Sequence, residues 1–161
     1  MDEVEISASG HEAVLDAVEQ VLSGLGLNQD GNPLAIYRRT SLADVGTGAN
    51  IDFPCLVYGP DGTLTSVDSD TSEEVWGYPV TVRFLARLPL EEPTFTPLLL
   101  SWREEVRDAF HREILQVDHP GVFEVYQMLL QPSPVSEPEA AAYQLLSSRL
   151  TFQASSREVR G

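Results

Sequence analysis

The chain has 161 residues, 42% of them apolar, with 25 acidic side chains against 10 basic ones and a formal charge of −15. That length and apolar content suit one folded domain rather than a disordered tail. No apolar run is long enough to span a bilayer, and so acidic a surface repels phosphates and anionic lipid at long range, which argues against a basic nucleic-acid groove.

All ten bases are arginine, and Cys55 is the single cysteine. An intrachain disulfide and a zinc site built on several thiolates are thereby excluded. The lone thiol reads as a small buried apolar side chain and suits a reducing compartment. The acidic start Met1-Asp-Glu-Val-Glu-Ile6 is unlike the basic opening of a signal peptide. Two readings of the acidity stay open: solubility alone, or a surface that lies close to DNA without holding it.

In chain order, the first helix is expected from Gly10 to Leu25. Val14, Val18, Val21, Leu22 and Leu25 form one stripe, and Glu12, Asp16, Glu19 and Ser23 the other side. Ser9 with Glu12 matches a capping box, and Gly24 and Gly26 supply the stop. A short strand follows over Leu34–Arg39, then a polar, Gly-rich stretch at Thr40–Asp52 with no period, of a length often functional in a small domain. Phe53–Tyr58 reads as a strand closed by the turn signal Gly59-Pro-Asp-Gly62. Asp61–Glu74 carries five acids and no base, and reads as an excursion or hairpin tip with a short strand at Thr63–Val67.

The strand Val75–Leu88 alternates in period two. Val80, Val82, Phe84 and Ala86 turn to the helices. Thr81, Arg83, Leu85 and Arg87 turn to solvent or a neighbouring subunit. The second helix is expected to begin with Thr96 as N-cap and Pro97 at the first helical position, where no amide hydrogen is needed. Leu98, Leu99, Trp102, Val106, Ala109 and Phe110 share one arc of its wheel. Burying Leu99, Trp102, Val106 and Phe110 contributes roughly 6–12 kcal/mol as an upper bound. Glu104 with Arg107 and Asp108 with Arg112 form helical pairs on the polar side, where Leu100 stands out of pattern. Gly121–Gln131 is rich in strand formers. Gln131–Ala142 holds three prolines and reads as a loop with one helical turn at Pro138–Ala142. Tyr143–Phe152 is the last strand, with Gln153–Gly161 as its extension or a tail. This order gives an α+β fold, a mainly antiparallel sheet with two principal helices packed on one face, in one domain with long loops at 40–52 and 61–74.

No catalytic chemistry declares itself. Gly46-Thr-Gly48 lacks the third glycine and the Lys-Ser/Thr of phosphate loops. A calcium loop begun at Asp68 would put Glu73 where glycine is needed and Pro79 where glutamate is needed. His11, His111 and His119 show no metal-ligand spacing, and no nucleophile elbow is present. No catalytic, cofactor or metal residue is therefore nominated, and the chain reads as a non-enzyme. The candidate subunit interface is Arg83, Leu85, Arg87 and Leu100; the candidate channel or docking loop is Asp68, Asp70, Glu73 and Glu74.

The N-terminal helix, the Pro54-Cys-Leu-Val-Tyr58 and Trp76-Gly-Tyr-Pro-Val-Thr-Val-Arg-Phe84 strands, the Trp102-Arg-Glu-Glu-Val-Arg-Asp-Ala-Phe110 helix and the two late strands together resemble the tail terminator, or tail-completion, proteins of long-tailed bacteriophages and related particles. The resemblance lies in the order of elements over most of the chain, and transfers no residue by motif. It implies a virion protein at the tail–neck junction, made in the host cytoplasm. Such a protein forms a ring, typically a hexamer, that caps the tail tube, stops its polymerisation and meets a neck or head-completion protein. DNA passes through without specific binding, and neither cofactor nor membrane is involved. The alternatives are another neck component, such as a head-completion or stopper protein, and a free-standing adaptor or enzyme.

Overall fold

The computed structural model describes residues 10–39, 51–60, 65–69, 73–88, 95–111, 115–117, 123–131 and 133–159. Its elements in chain order are α1 (Gly10–Gly24), β1 (Asn28–Gln29), β2 (Asn32–Pro33), β3 (Ala35–Arg38), β4 (Cys55–Pro60), β5 (Thr65–Ser69), β6 (Glu73–Arg87), α2 (Phe95–Phe110), β7 (Phe123–Gln131), a 3-10 helix (Pro138–Tyr143) and β8 (Leu145–Val159).

The apolar stripe of α1 is buried at Val14, Val18 and Leu22, while Glu12, Asp16, Glu19 and Ser23 are exposed. Ala13, Leu15 and Ala17 are buried too, so the covered arc is wider than the sequence stripe. After α1 the chain turns at Gly26 (φ 63°) into a two-residue-stranded hairpin that the sequence reading missed. Its tip, Asp30-Gly31, holds both residues at positive φ (53° and 84°), the combination that Asp-Gly favours in tight hairpins. Trp102 Nε1 of α2 donates to the Asn28 carbonyl at 3.2 Å and fastens this hairpin to the second helix.

The main sheet runs β3-β4-β6-β8-β7, with β5 also paired to β6. All its pairings are antiparallel except β3 with β4, which is parallel. β4 and β5 lie one after the other along the same edge of β6, opposite Leu85–Val80 and Gly77–Glu74 respectively. β6 and β8 pair residue for residue from Glu73↔Val159 to Arg87↔Leu145, a ladder about 50 Å long at ~3.3 Å per residue.

Alternation along these strands divides the side chains between two faces. On the inner face Leu56, Tyr58, Val80, Val82, Phe84, Ala86, Leu150 and Phe152 meet both helices, which supply Val14, Val18, Leu22, Leu99, Trp102, Val106 and Phe110. Trp102 stacks on Phe84 and meets Phe95 edge-on, while Phe110 tilts against Phe152. Two principal helices on one face of a mainly antiparallel sheet is the α+β arrangement expected.

Several boundaries differ from the sequence reading. β4 runs through Gly59 and Pro60 rather than turning there. There Gly59 and Pro60 find partners in Thr81 and Val80 of β6; on the other edge the Arg39 amide donates to the Tyr58 carbonyl at 3.0 Å, and the Arg39 carbonyl lies against Gly59, where a β-carbon would collide with it. The expected 61–74 loop contains β5 and the start of β6, and the strand expected at Thr63–Val67 lies at Thr65–Ser69. α2 begins at Phe95, one residue before the expected cap, because Phe95 is itself buried against Trp102. β8 continues to Val159, since β6 gives residues 153–159 a full set of partners. The Ser9 cap, residues 40–50 of the first long loop, Arg112 and His119 lie outside the described residues.

Candidate functional site

The outer face of the sheet is the most unusual surface of the molecule. It was expected to reach solvent or a neighbour, yet part of it is covered by the chain itself. Ile51, Cys55, Val57, Leu85, Ala140 and Leu145 form a second apolar cluster, flanked by Ala35, Tyr37 and Phe53. The 3-10 helix supplies Ala140, and residues 51–53 close the other side. Leu85, expected at a subunit surface, is therefore a correction: it is 1% exposed and packed within its own chain. Cys55 sits in the same cluster, where burial, with Asp52 nearby, pushes its thiol up to about 12. That thiol is protonated and unreactive at ordinary pH.

Beyond this cluster the outer face is polar. Arg83 and Arg149 stand directly opposite each other on β6 and β8. Two like charges at facing positions are unfavourable unless something neutralises them. Glu137 does so. It is 7% exposed, accepts from Arg83 Nε at 2.9 Å and from Ser147 Oγ at 2.7 Å, and lies 3.5 Å from Arg149 Nη1. The same residue's amide donates to the Ser147 carbonyl at 2.8 Å, and the Arg149 amide donates to the Pro134 carbonyl at 3.1 Å. Residues 133–137 thus continue the line of β7 along β8. On the inner side, Arg103 of α2 closes this edge, donating to Ser148 Oγ at 2.8 Å and the Arg149 carbonyl at 2.7 Å. Burial lowers its pKa.

Two more arginines lie on the outer face at its β3–β4 side. Arg39 stacks over Tyr37, whose hydroxyl accepts from the Asp52 amide at 3.1 Å. Arg87 lies over the Phe53 ring at 4.6 Å. Neither makes an ion pair with a carboxylate among the described residues. Among the described residues, Arg39, Arg83, Arg87 and Arg149 therefore share one face, although acids outnumber bases in the sequence.

The helix layer on the opposite side has the reverse character. Glu12, Asp16 and Glu19 line the exposed side of α1, and Glu104, Glu105 and Asp108 are exposed on α2. Arg38 crosses to α1, with Nη2 2.6 Å from Asp16 and 3.6 Å from Glu19, while its Nε donates to the Tyr58 hydroxyl at 3.0 Å. Burial lowers the Arg38 pKa, but the hydrogen bonds to Asp16 and Tyr58 outweigh it and the net shift is upward. Tyr58 is pushed up to about 12, chiefly by burial.

Of the other residues singled out in the sequence, Leu100 is 47% exposed on α2. It borders a groove of about 440 Å³ whose walls include Arg103, Leu130 and Leu150. Asp68 lies in β5, Glu73 and Glu74 open β6, and Asp70 is outside the described residues. The backbone thus places three of the four loop acids on strands at one end of the long ladder, far along β6 from Arg83 and Arg87. The sequence reading missed Glu137, Arg149, Arg39, Tyr37 and Phe53. Inward Leu150 and Phe152 already imply an outward Arg149, but nothing local marks Glu137 as its partner. Among the described residues, no group of three or more His, Cys, Asp or Glu is placed to hold a metal ion, and no helix is long and apolar enough to cross a membrane.

No protein-family model matches the chain, and no curated protein matches it. A solved structure described as the virion of a native gene transfer agent particle contains a chain of similar shape, with a TM-score of 0.54 and 14% identity over 95% of this chain and 96% of that one. At that identity the likeness is one of fold. A second solved chain aligns over 96% of this chain and 98% of its own, with 12% identity and a TM-score of 0.39, too low to carry an argument.

Proposed function

We propose that the chain is a structural subunit of a phage-like particle and acts as its tail terminator. The observation that carries this reading is the shared fold with a chain of the gene transfer agent virion, which extends over nearly the whole of both chains. The order of elements and the absence of any nominated catalytic motif agree with it. In this reading the chain does no covalent chemistry. Copies form a ring, taken as a hexamer, at the junction of tail and neck. One side of the ring pairs with the last ring of tail tube protein. The other side cannot accept a further tube ring and instead meets a neck or head-completion protein. A subunit with net charge −15 suits a ring around a DNA path, because like charge lets the polyanion pass without being held.

The test is to image particles made in cells that lack the chain. Tail tubes of uncontrolled length, detached from heads, are expected, and supplying the chain should restore tails of uniform length joined to heads. Tails of normal length joined to heads in its absence would refute the proposal.

A further inference from the structure

Among the described residues β7 ends the strand order of the main sheet and pairs only with β8. Its sequence, Phe-Glu-Val-Tyr-Gln-Met-Leu-Leu-Gln, holds no lysine and no proline, two residues that keep a sheet edge from pairing with other strands. Past the register shift at Val125–Gln127, its pairing runs regularly to Gln131. Beside this edge, on the helix side, lies the groove of about 440 Å³ walled by Leu100, Leu130 and Leu150. Leu100 is 47% exposed there. We propose that residues 2–6 of the same chain add a strand to the outer edge of β7 and place Val4 and Ile6 in this groove. The inference is independent of the reading of the chain as a tail terminator.

Three features favour this occupant. First, the segment ahead of α1 alternates with the period of a strand: Val4, Ile6 and Ala8 fall on one side, Glu3, Glu5 and Ser7 on the other. Only a strand lying against β7 turns the first set toward the helices and the second set away from them. Second, the reach is right. His11, at the start of α1, has its Nε2 3.1 Å from the Pro79 carbonyl. Pro79, Gln153 and Leu129 stand side by side across β6, β8 and β7, so a strand outside β7 is three spacings from Pro79, about 14 Å. Five residue steps from His11 back to Ile6 span up to about 17 Å, and residues 2–6 then match Gln127–Gln131 in length. Third, tethering favours the chain's own segment over that of a second copy, because a short link holds it at an effective concentration in the millimolar range. The added strand would carry Glu3 and Glu5 on the new edge, and charged side chains there discourage further pairing. The segment thus seals the sheet on this side and leaves self-association to other surfaces.

The experiment is disulfide trapping in the full chain. Ile6→Cys/Leu100→Cys is oxidised with copper phenanthroline and compared with Ile6→Cys/Gln20→Cys. Gln20 is exposed on α1, about 14 Å along the helix from His11, so an untethered segment would reach it as readily. Cys55 is buried and stays out of the reaction. The pair with Leu100→Cys is expected to close within one chain at least ~10-fold faster than the pair with Gln20→Cys. Equal rates, or no bond in either pair, overturn the proposal. A bond that links two copies overturns it as well, and assigns the edge to the segment of a neighbour. Hydrogen exchange gives a second reading without added cysteines. Val4→Asp/Ile6→Asp should quicken exchange about 10-fold at those amides of Gln127–Gln131 that point away from β8, with the amides of β6 unchanged. The same exchange along β7 in wild type and variant overturns the proposal. Circular dichroism confirms that each variant is folded. Every one of these results leaves the proposed function standing, since imaging of particles tests that reading separately.

Discussion

Removing the Glu137 carboxylate should be among the most damaging single changes in the molecule. Glu137 is buried and is the group that separates Arg83 from Arg149 at facing positions of β6 and β8. Glu137→Ala removes an acceptor held at 2.9 Å by Arg83 and at 2.7 Å by Ser147. It leaves two guanidinium groups opposite each other, one of which, Arg149, already has a buried Nε without an acceptor. Breaking a buried ion pair by deleting one partner costs about 3–5 kcal/mol. The arginine side chains keep 15% and 30% of their surface in water, which places the loss near the lower end, about 3 kcal/mol. For a domain of this size that lowers the melting temperature by roughly 6–12 °C. Thermal and urea unfolding measure it. Replacing all three groups by Leu or Met removes the charges together, and should restore much of the loss. A Glu137→Ala protein within ~0.5 kcal/mol of wild type would refute the reasoning, because the carboxylate would then not be offsetting the two arginines.

Three further outcomes are expected. Cys55 should resist alkylation in the native protein and react only on unfolding. Because folding raises its pKa from 9.0 to about 12, the stability it contributes is fully present below pH 9 and is lost as pH climbs toward 12, with Tyr58 acting in the same direction above pH 10; rapid labelling of the native protein at pH 8 would contradict this. Gly59→Ala should cost about 1–3 kcal/mol or more, because its methyl group meets the Arg39 carbonyl, and hydrogen exchange should quicken along β3; unchanged exchange would show that the chain yields there. Leu100→Ser should leave stability within about 0.5 kcal/mol in urea, so that any loss of assembly it causes reports a partner over α2 rather than a folding defect.

Much of this architecture is legible in the sequence because period decides it. Val80, Val82, Phe84 and Ala86 alternate cleanly, and Leu99, Trp102, Val106 and Phe110 fall on one helical arc, so the inner core follows from spacing. The outer face is less legible. Leu85 looks like a surface residue by alternation, and becomes buried because two segments distant in sequence, residues 51–53 and the 3-10 helix, fold over it, which no local pattern announces. The same holds for Glu137, whose partners lie on two other strands. The β1–β2 hairpin did carry a local signal, Asp30-Gly31, but strands of two residues are too short to show a period. The parallel pairing of β3 with β4 was hidden for a related reason: it depends on where the chain returns after residues 40–50, not on the composition of either strand.

The place of β8 in the sheet has a consequence for how the chain reaches its native state. β8 is last in chain order, yet it lies between β6 and β7, and among the described residues β7 joins the sheet only through it. The longest ladder therefore cannot begin to form until the chain has looped back across α2 and β7, and the loop-closure entropy must be met before the pairing rewards it. Folding should be slow for a domain of this size, with β7 and β8 meeting early as a local pair and β6 closing onto them in the step that sets the rate. A substitution that weakens β6–β8 pairing, such as Thr151→Gly opposite Thr81, should slow folding, whereas one confined to α1 should chiefly speed unfolding.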